Sequence, residues 1–203
     1  MLFDERFFSY DLFMKEKLLR REFFKRPTIS VARDLLGKIL VRKIGRREIE
    51  LMITEVEVYD GFRDKASHAS RGRTARNSIM FGPAGIWYVY FTYGMHWMLN
   101  IVTREEGYPS AVLIRGGILI NKRTLQNFSK TKNLGGPAKL TKFLKINGKL
   151  NGLLANKKSG LWIEDRGVKI SRAEIKKGPR VGVNYAGAYW AKRKWRFWIE
   201  NRV

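Results

Sequence analysis

The sequence "IELMITEVEVY" at residues 49–59 predicts a β-strand, because it is rich in β-branched and apolar residues, which alternate with polar ones from Ile53 onward. Successive side chains of a strand point to opposite faces. One face is predicted to carry Ile53, Glu55, Glu57 and Tyr59, and the other Thr54, Val56 and Val58. A face with two carboxylates and a phenol is either an ordinary solvent-exposed surface or one wall of a chemical site.

The residues after Tyr59 favour the second interpretation, in which this face is one wall of a chemical site. The strand runs into Asp60 and a loop that holds His68, one of only two histidines in the chain. The same loop then presents three arginines, Arg71, Arg73 and Arg76. Acidic residues are scarce, since Asp and Glu number 18 against 41 Lys and Arg. A carboxylate at the base of a positive groove is well placed to activate water beside a polyanion.

The composition narrows the class of partner and of chemistry. A formal net charge of +23 over 203 residues favours nucleic acid first and an anionic membrane surface second. The absence of cysteine excludes disulfides, thiolate catalysis and thiolate metal sites. Two histidines do not make a zinc cluster, so we expect no metal and no cofactor.

The length suits a single domain over residues 1–203. The amino-terminal segment carries acids where a signal peptide carries bases, and no apolar run approaches the roughly 18 residues of a membrane span. We therefore expect an intracellular protein that does not contact membranes, located in the cytoplasm or nucleoid if the source is bacterial.

Strands dominate the rest of the pattern. They are predicted at residues 38–44, 85–93, 95–103, 110–117, 169–175 and 195–200. Helices are predicted at residues 10–25, from a cap at Ser30, and from Pro137 onward. Because strands and helices do not alternate regularly, we predict an α+β fold, a single mixed domain around an antiparallel sheet, rather than a parallel nucleotide-binding sheet.

The stretch "GIWYVYFTYGMHWMLN" at residues 85–100 predicts a β-hairpin whose tight turn is Tyr93-Gly94. Its first strand places Tyr88 and Tyr90 on one face. Tyr93 stands apart from the other aromatic residues because a turn tip is difficult to bury. Apolar groups at such tips wedge between base steps in DNA-binding proteins. The other aromatic residues are predicted to be core; they are Trp87, Phe91 and Trp97.

With these stretches in order along the chain, the sequence resembles the alkyladenine (3-methyladenine) DNA glycosylases, the methylpurine excision enzymes of animals and bacteria. The matching pieces are "EFF" at Glu22, "ARDLLGKILV", "TEVEVY", the His68 loop, "TARN", "MFGPAGIWYVYFTYGM", "AVLIR", "GGPAKLTKFLKIN" and "RVGVNYAG". Only the first eighteen or so residues, predicted to be a helical extension, lie outside the resemblance. Tyr185 stands where a histidine is common in the family.

The resemblance implies a role for each matching position. Glu57 corresponds to the general base that activates water, Arg115 lies near that water, and Tyr93 fills the gap left by the flipped nucleotide. The positions implied around the flipped base are Tyr59, Ala66, His68, Tyr90, Asn100, Val181 and Gly182, with Asn100 opposite position 2 of the purine. The positions implied to contact DNA are Arg71, Arg73, Thr74, Arg76 and Met80.

The resemblance also implies an activity and a fold. The enzyme would be a monomer that flips alkylated or deaminated purines out of double-stranded DNA, such as 3-methyladenine, 7-methylguanine, hypoxanthine and ethenoadenine. It would hydrolyse the N-glycosidic bond, leave an abasic site and have no lyase activity. The implied fold is one mixed domain around a curved antiparallel sheet, with the hairpin protruding.

Two other classes of function fit the residues without the resemblance. A non-catalytic RNA or DNA binding module needs only the positive charge and the aromatic residues. A metal-dependent nuclease could use Glu55, Glu57 and Asp60 around Mg²⁺. From the alternation alone, either glutamate of the strand could be the base.

The charge of the chain generates the first prediction. We expect the affinity for duplex DNA to fall by roughly 0.9 log units per log unit of salt for each phosphate contact, because bound cations release counterions. The contacts are expected from the loop arginines and from the basic stretch "AKRKWR" at residues 191–196. Binding titrations across a range of salt concentrations measure the slope, and a flat profile would contradict a DNA-binding function.

Overall fold

The structure is a computed structural model that describes residues 16–120 and 133–200. Within these ranges the chain forms ten β-strands and four α-helices, joined by loops and short 3₁₀ turns. The strands are β1 (Lys17–Leu18), β2 (Ile39–Ile44), β3 (Arg47–Asp60), β4 (Trp87–Thr92), β5 (His96–Val102), β6 (Ser110–Ile120), β7 (Asn133–Gly135), β8 (Leu161–Asp165), β9 (Ile175–Gly178) and β10 (Arg196–Ile199). The helices are α1 (Arg21–Phe24), α2 (Thr28–Leu35), α3 (Pro137–Phe143) and α4 (Ala188–Lys192).

The strands form one antiparallel sheet in which β3 is central. Their order is β1-β8-β2-β3-β6-β5-β4, with β7 added beside β6, and with β10 and then β9 beside β3. The fourteen residues of β3 pair with β2 in the first half and with β10 in the second. The other edge of β3 pairs with β6 along nearly its whole length. This arrangement confirms the predicted α+β fold around an antiparallel sheet.

The β4–β5 hairpin extends beyond the sheet. β4 and β5 pair along their full length, as far as Thr92 opposite His96. β5 pairs with β6 only over residues 100–102. The outer half of the hairpin therefore has no strand beside β5 among the residues described, which agrees with the protruding hairpin that the family resemblance implied.

Two β-bulges face each other where β3 pairs with β6. Thr54 is an extra residue on β3, and Arg115 is an extra residue on β6. Because one extra residue on each strand cancels the other, the pairing has the same register on both sides of the bulges. A bulge bends its strand and re-aims a side chain, and here it turns Arg115 toward the carboxylates of β3.

The bulge also changes which residues of β3 share a face. Ile53 is fully buried in the main core together with Val56 and Val58. Strict alternation would place Ile53 on the side of Glu57 and Tyr59, so that part of the prediction is wrong. The extra residue on β3 reverses the alternation, and the strand keeps an apolar face toward the core on both sides of the bulge.

The main core lies between the sheet and helices α2 and α3. Trp87 is fully buried there and donates its indole N–H to the Leu161 carbonyl at 3.0 Å, as expected of a core residue. Trp97 is half-buried against the same core. Phe91 was also predicted to be core, but its side chain is 44% exposed and packs on Trp97 with ring centroids 4.8 Å apart. That prediction is wrong because Phe91 lies in the part of the hairpin that extends past β6.

Two helix predictions differ from the structure. Residues 10–15 of the helix predicted at 10–25 lie outside the described residues, as does most of the amino-terminal extension; the remainder forms β1, which pairs with β8, and the short helix α1. Helix α2 begins at Thr28 rather than after Ser30, because the fixed φ of Pro27 suits a helix start. Helix α3 begins at Pro137 as predicted. No helix in the described part of the chain is long and apolar enough to cross a bilayer.

The strand predicted at residues 169–175 is displaced, because β9 begins only at Ile175. Ser171 donates its backbone N–H to the Glu174 carboxylate at 2.8 Å, and Glu174 donates its N–H to the Ser171 carbonyl at 3.1 Å. Such local side-chain bonds compete with a strand ladder. Strand β8 was not predicted; it pairs with β1 and β2 and buries Trp162.

Candidate active site

A cavity of about 870 Å³ opens beside the sheet where β3, β6 and the hairpin meet. Its walls come from both strands, from the hairpin, from the loop after β3 and from residues 181–185. Tyr59, His68, Tyr90, Tyr93, Arg115 and Val181 all line it. The fold therefore brings together side chains that are widely separated in the sequence.

Glu57 lies directly beneath the wall of this cavity. Its carboxylate has no exposed surface and accepts a hydrogen bond from the Val181 N–H at 2.7 Å and from the Tyr59 hydroxyl at 3.0 Å. Arg115 Nη1 lies 3.4 Å from the same carboxylate. All three partners line the cavity, so Glu57 is separated from it by a single layer of polar groups.

Two opposing effects act on the ionisation of Glu57. Burial raises the pKa of the carboxyl, while the Arg115 guanidinium, the Val181 N–H and the Tyr59 hydroxyl each lower it. Burial is the larger effect, and the pKa lies above its ordinary value. A carboxylate with a raised pKa is a stronger base than one in water.

Glu55 lies in a different environment. Its carboxylate accepts a hydrogen bond from Arg115 Nε at 3.0 Å and from Arg196 Nη1 at 3.3 Å. Glu55 does not line the large cavity. Arg115 thus contacts both glutamates through different nitrogens, but only Glu57 is also bonded to Val181 and Tyr59, which line the cavity.

Aromatic side chains form the walls of the cavity. The rings of His68 and Tyr90 lie edge to face with centroids 4.7 Å apart, and His68 Nδ1 is 3.0 Å from the Tyr88 hydroxyl. Burial raises the pKa of the Tyr59 and Tyr90 hydroxyls, and it lowers the pKa of His68, with Arg76 lowering it further. These three aromatic side chains therefore carry little charge at neutral pH.

A smaller cavity of about 40 Å³ continues inward from these walls. Asn100 lies at this cavity, is 2% exposed, and donates its side-chain amide to the Tyr88 carbonyl at 3.0 Å. Ala66 also lines it, and the Ala66 carbonyl accepts a hydrogen bond from the Tyr185 hydroxyl at 2.9 Å. Asn100, Ala66 and His68 thus line the same small space.

Tyr93 occupies the tip of the hairpin and is 80% exposed. Its φ of 52° and the φ of 64° at Gly94 form the tight turn that the sequence predicted. A positive φ is unusual for a bulky residue and marks a constrained turn. The turn holds the phenol ring out at the mouth of the cavity, away from the core.

Comparison with known proteins places this geometry in a family. The family described as Methylpurine-DNA glycosylase (MPG) matches residues 22–203. The chain belongs to this family. It is 45% identical over 190 residues to a protein of Methanocella arvoryzae named "Putative 3-methyladenine DNA glycosylase", covering 91% of this chain and 93% of the relative. Proteins of the same name match from Streptomyces avermitilis, 45% identical with 90% and 88% covered, and from Legionella pneumophila strain Corby, 43% identical with 90% and 94% covered.

Membership of the methylpurine-DNA glycosylase family confirms the resemblance seen in the sequence. The family and the names of these relatives place the chain among DNA glycosylases that act in DNA repair.

The loop after β3 carries the predicted DNA contacts around a buried asparagine. Asn77 donates its side-chain amide to the carbonyls of His68 and Gly72, both at 2.9 Å, and accepts the Thr74 N–H at 2.7 Å. These bonds fold the loop so that Thr74 is exposed at the surface. Asn77 was not singled out in the sequence, although it ends the "TARN" motif.

The three loop arginines do not have equivalent positions. Arg76 lines the cavity and donates to the Phe91 carbonyl at 3.0 Å, with its guanidinium 5.4 Å from the Tyr90 ring centre. Arg71 also lines the cavity. Arg73 is exposed and lies over Phe81 instead. Met80 does not join them at the surface, because it is 2% exposed and lines the inner cavity, so the structure gives no support to its predicted DNA contact.

The segment that supplies the Val181 N–H is held by a buried ion pair that the sequence analysis missed. Arg180 donates two hydrogen bonds to Asp64, at 2.6 and 2.8 Å, and one to the Val58 carbonyl at 2.8 Å. Neither side chain of the pair is exposed. The two residues are 116 positions apart, so no local pattern could reveal the contact. Gly182 follows with a φ of 75°, a conformation that favours glycine, and lines the cavity.

The three carboxylates of the nuclease alternative do not converge. Glu55 is paired with Arg115 and Arg196, and Glu57 is bonded to Val181 and Tyr59. Asp60 accepts a hydrogen bond from the Thr28 hydroxyl at 2.8 Å. In the described ranges no three acidic, histidine or cysteine side chains are grouped in a way that could hold a metal ion.

The Asp64–Arg180 pair generates a prediction about stability. We expect Asp64→Ala to lower the free energy of unfolding by about 3–5 kcal/mol, because it leaves a buried guanidinium without its counter-charge. Urea unfolding followed by circular dichroism measures the loss.

A surface ion pair in the same chain provides the matched control. Asp34 pairs with Arg26 at 2.7 Å with its side chain 52% exposed. Asp34→Ala should change the free energy of unfolding by no more than about 1 kcal/mol, because exposed pairs contribute little. Equal losses in the two variants would contradict the structural role given to Asp64.

Proposed function

We propose that this protein is a monofunctional DNA glycosylase that removes alkylated or deaminated purines from double-stranded DNA by hydrolysis. The observation that carries the proposal is the buried Glu57 carboxylate, which is bonded to Val181, Tyr59 and Arg115 beneath an aromatic cavity. The lesions are of the 3-methyladenine, 7-methylguanine, hypoxanthine and ethenoadenine class. The enzyme acts as a monomer inside the cell, in the cytoplasm or nucleoid if the source is bacterial.

The walls of the cavity suit the base. Purines alkylated at position 3 or 7 are cationic, and the faces of aromatic rings attract cations by about 0.5–2 kcal/mol. The pKa of His68 is lowered and the pKa values of Tyr59 and Tyr90 are raised, so these aromatic side chains themselves neither repel the cation nor form a salt bridge with it. Undamaged purines are neutral and lack this attraction.

The chemistry is a displacement at the anomeric carbon of the sugar. Glu57 takes a proton from a water molecule, the water oxygen bonds to the anomeric carbon, and the N-glycosidic bond breaks with its electron pair leaving on the purine. A cationic purine leaves as a neutral base, whereas a neutral purine such as hypoxanthine leaves with a negative charge and must take up a proton as it departs. The charge of Glu57 also faces the positive charge that develops on the sugar. Arg115 and the Val181 N–H keep the carboxylate oriented and ionised before the water loses its proton.

Exposed groups around the cavity suit the extrusion of the nucleotide. Arg71 and Arg76 at the rim are positioned to bind phosphates of the damaged strand. Tyr93 projects from the hairpin tip, where it fills the space that the flipped nucleotide leaves in the duplex. Asn100 at the inner end opposes position 2 of the purine, where guanine carries an amino group.

The direct test incubates the protein with duplexes that each hold one lesion and cleaves the product with alkali at any abasic site. Excision that persists in the presence of a chelator supports the proposal. Lesion binding without abasic sites would favour a binding module, and chelator-sensitive strand cleavage would favour a nuclease.

The two glutamates of β3 generate the sharpest prediction. We expect Glu57→Gln to lower single-turnover excision of hypoxanthine or 7-methylguanine by about 10²–10⁴-fold, the usual effect of losing a general base. The amide keeps the shape of the side chain but cannot accept the proton of the water. Binding of lesion DNA should be kept, because the positively charged surface is unchanged.

Glu55→Gln is the matched control, since it makes the same change on the same strand at a carboxylate that is not bonded to Val181 or Tyr59. Its effect on excision should be far milder. Melting curves of both variants establish that they are folded. If the two variants rank in the opposite order, the base is Glu55, and if both stay fully active, neither carboxylate is the base.

A further prediction concerns the hairpin tip. Tyr93→Ala should make the free energy of base extrusion less favourable by a few kcal/mol. The reason is that no side chain then fills the space that the extruded base leaves in the duplex. The melting temperature should not change, since the side chain is 80% exposed. Fluorescence of a base analogue opposite thymine reports the extrusion. An unfolded variant would show that Tyr93 supports the core instead.

A further inference from the structure

Tyr185 covers the outer side of the inner cavity. It lines both the inner and the large cavity, and its hydroxyl donates to the Ala66 carbonyl at 2.9 Å. The residue is nevertheless 69% exposed. Its side chain is therefore held mainly by this one hydrogen bond, and it can move without disturbing the core.

Four walls are shared by the two cavities; they are Tyr59, His68, Tyr90 and Tyr185. A base held between these walls in the large cavity therefore brings only its leading edge to the inner cavity. Two walls of the inner cavity, Met80 and Tyr88, are almost fully buried. Asn100 is buried too and is bonded to the backbone of β4. Among these lining residues, Tyr185 has the side chain that is most free to move.

The way a purine enters determines which atoms reach Tyr185. The glycosidic nitrogen stays attached to the sugar outside, so the six-membered ring with positions 1, 2 and 6 enters first. Under the proposed function, Asn100 opposes position 2. Position 6 then faces the Ala66 carbonyl and the Tyr185 hydroxyl bonded to it.

We propose that Tyr185 is a specificity-determining residue that allows the pocket to accept purines without an amino group at position 6. This inference rests on the proposed function. A 6-amino group competes with the Tyr185 hydroxyl for the Ala66 carbonyl and has to displace it. A base without that donor, such as hypoxanthine, leaves the carbonyl bonded to Tyr185. The hydroxyl thus prevents a buried carbonyl from being left unpaired, which would weaken binding of such bases.

The test is the equilibrium binding of two duplexes that the enzyme cannot cleave. One holds 3-deaza-3-methyladenine, which has the 6-amino group, and the other holds 2′-fluoro-deoxyinosine, which presents hypoxanthine without it. We expect Tyr185→Phe to shift the ratio of the two affinities toward the amino-bearing base by about fivefold or more, the value of one neutral hydrogen bond.

Tyr189→Phe is the matched control, because Tyr189 is 68% exposed, lies four residues away and lines neither cavity. The ratio of the two affinities in Tyr189→Phe should equal the ratio in the unmodified protein. An unchanged ratio in Tyr185→Phe, or an equal loss of affinity for both duplexes, overturns the inference.

Excision of the corresponding cleavable lesions by the unmodified protein separates the two proposals. Preferential binding of both lesion duplexes without excision would reject hydrolysis, while the binding ratio would still decide the role of Tyr185. No preference for either lesion duplex over undamaged DNA would overturn both proposals.

Discussion

The contact of one arginine with two glutamates is the interaction on which the site depends. Arg115 lies 3.0 Å from Glu55 and 3.4 Å from Glu57, and Arg196 supplies a second cation to Glu55. Two positive and two negative charges are thus balanced at the middle of the sheet. A carboxylate as buried as Glu57 would otherwise take up a proton, because desolvation penalises its charge. The Asp64–Arg180 pair extends the same principle to the segment that donates the Val181 N–H.

Charged groups have different roles at the surface of the molecule and in the cavity. The exposed arginines of the loop suit a polyanion, while the aromatic walls behind them are kept uncharged by burial. Long-range attraction to the backbone of DNA is largely independent of sequence. Under the proposed function, selection of a base falls to the interior of the cavity, whose inner end is lined by Asn100, Ala66 and His68.

Local patterns in the sequence predicted the parts of the fold that local forces determine. The strand at residues 49–59, the turn at Tyr93-Gly94 and the helix start at Pro137 are all present. The facing bulges were not predictable, because an extra residue in a strand has no periodic signature and is defined only by its partner. For this reason alternation placed Ile53 on the wrong face. The family resemblance singled out Glu57 from Glu55, whereas the alternation could not. The structure shows that their environments differ.

The paired bulges also separate the chemistry of the protein from its architecture. Thr54 and Arg115 have no partner in the pairing of β3 with β6, and the pairing continues in the same register after them. A sheet without both residues would keep every other pairing of these strands, but it would have no arginine between the glutamates. The proposed catalytic centre thus takes its arginine from an insertion in an otherwise regular sheet. A change at position 115 can alter the pairing of the two glutamates while the hydrogen-bonded framework around it stays intact.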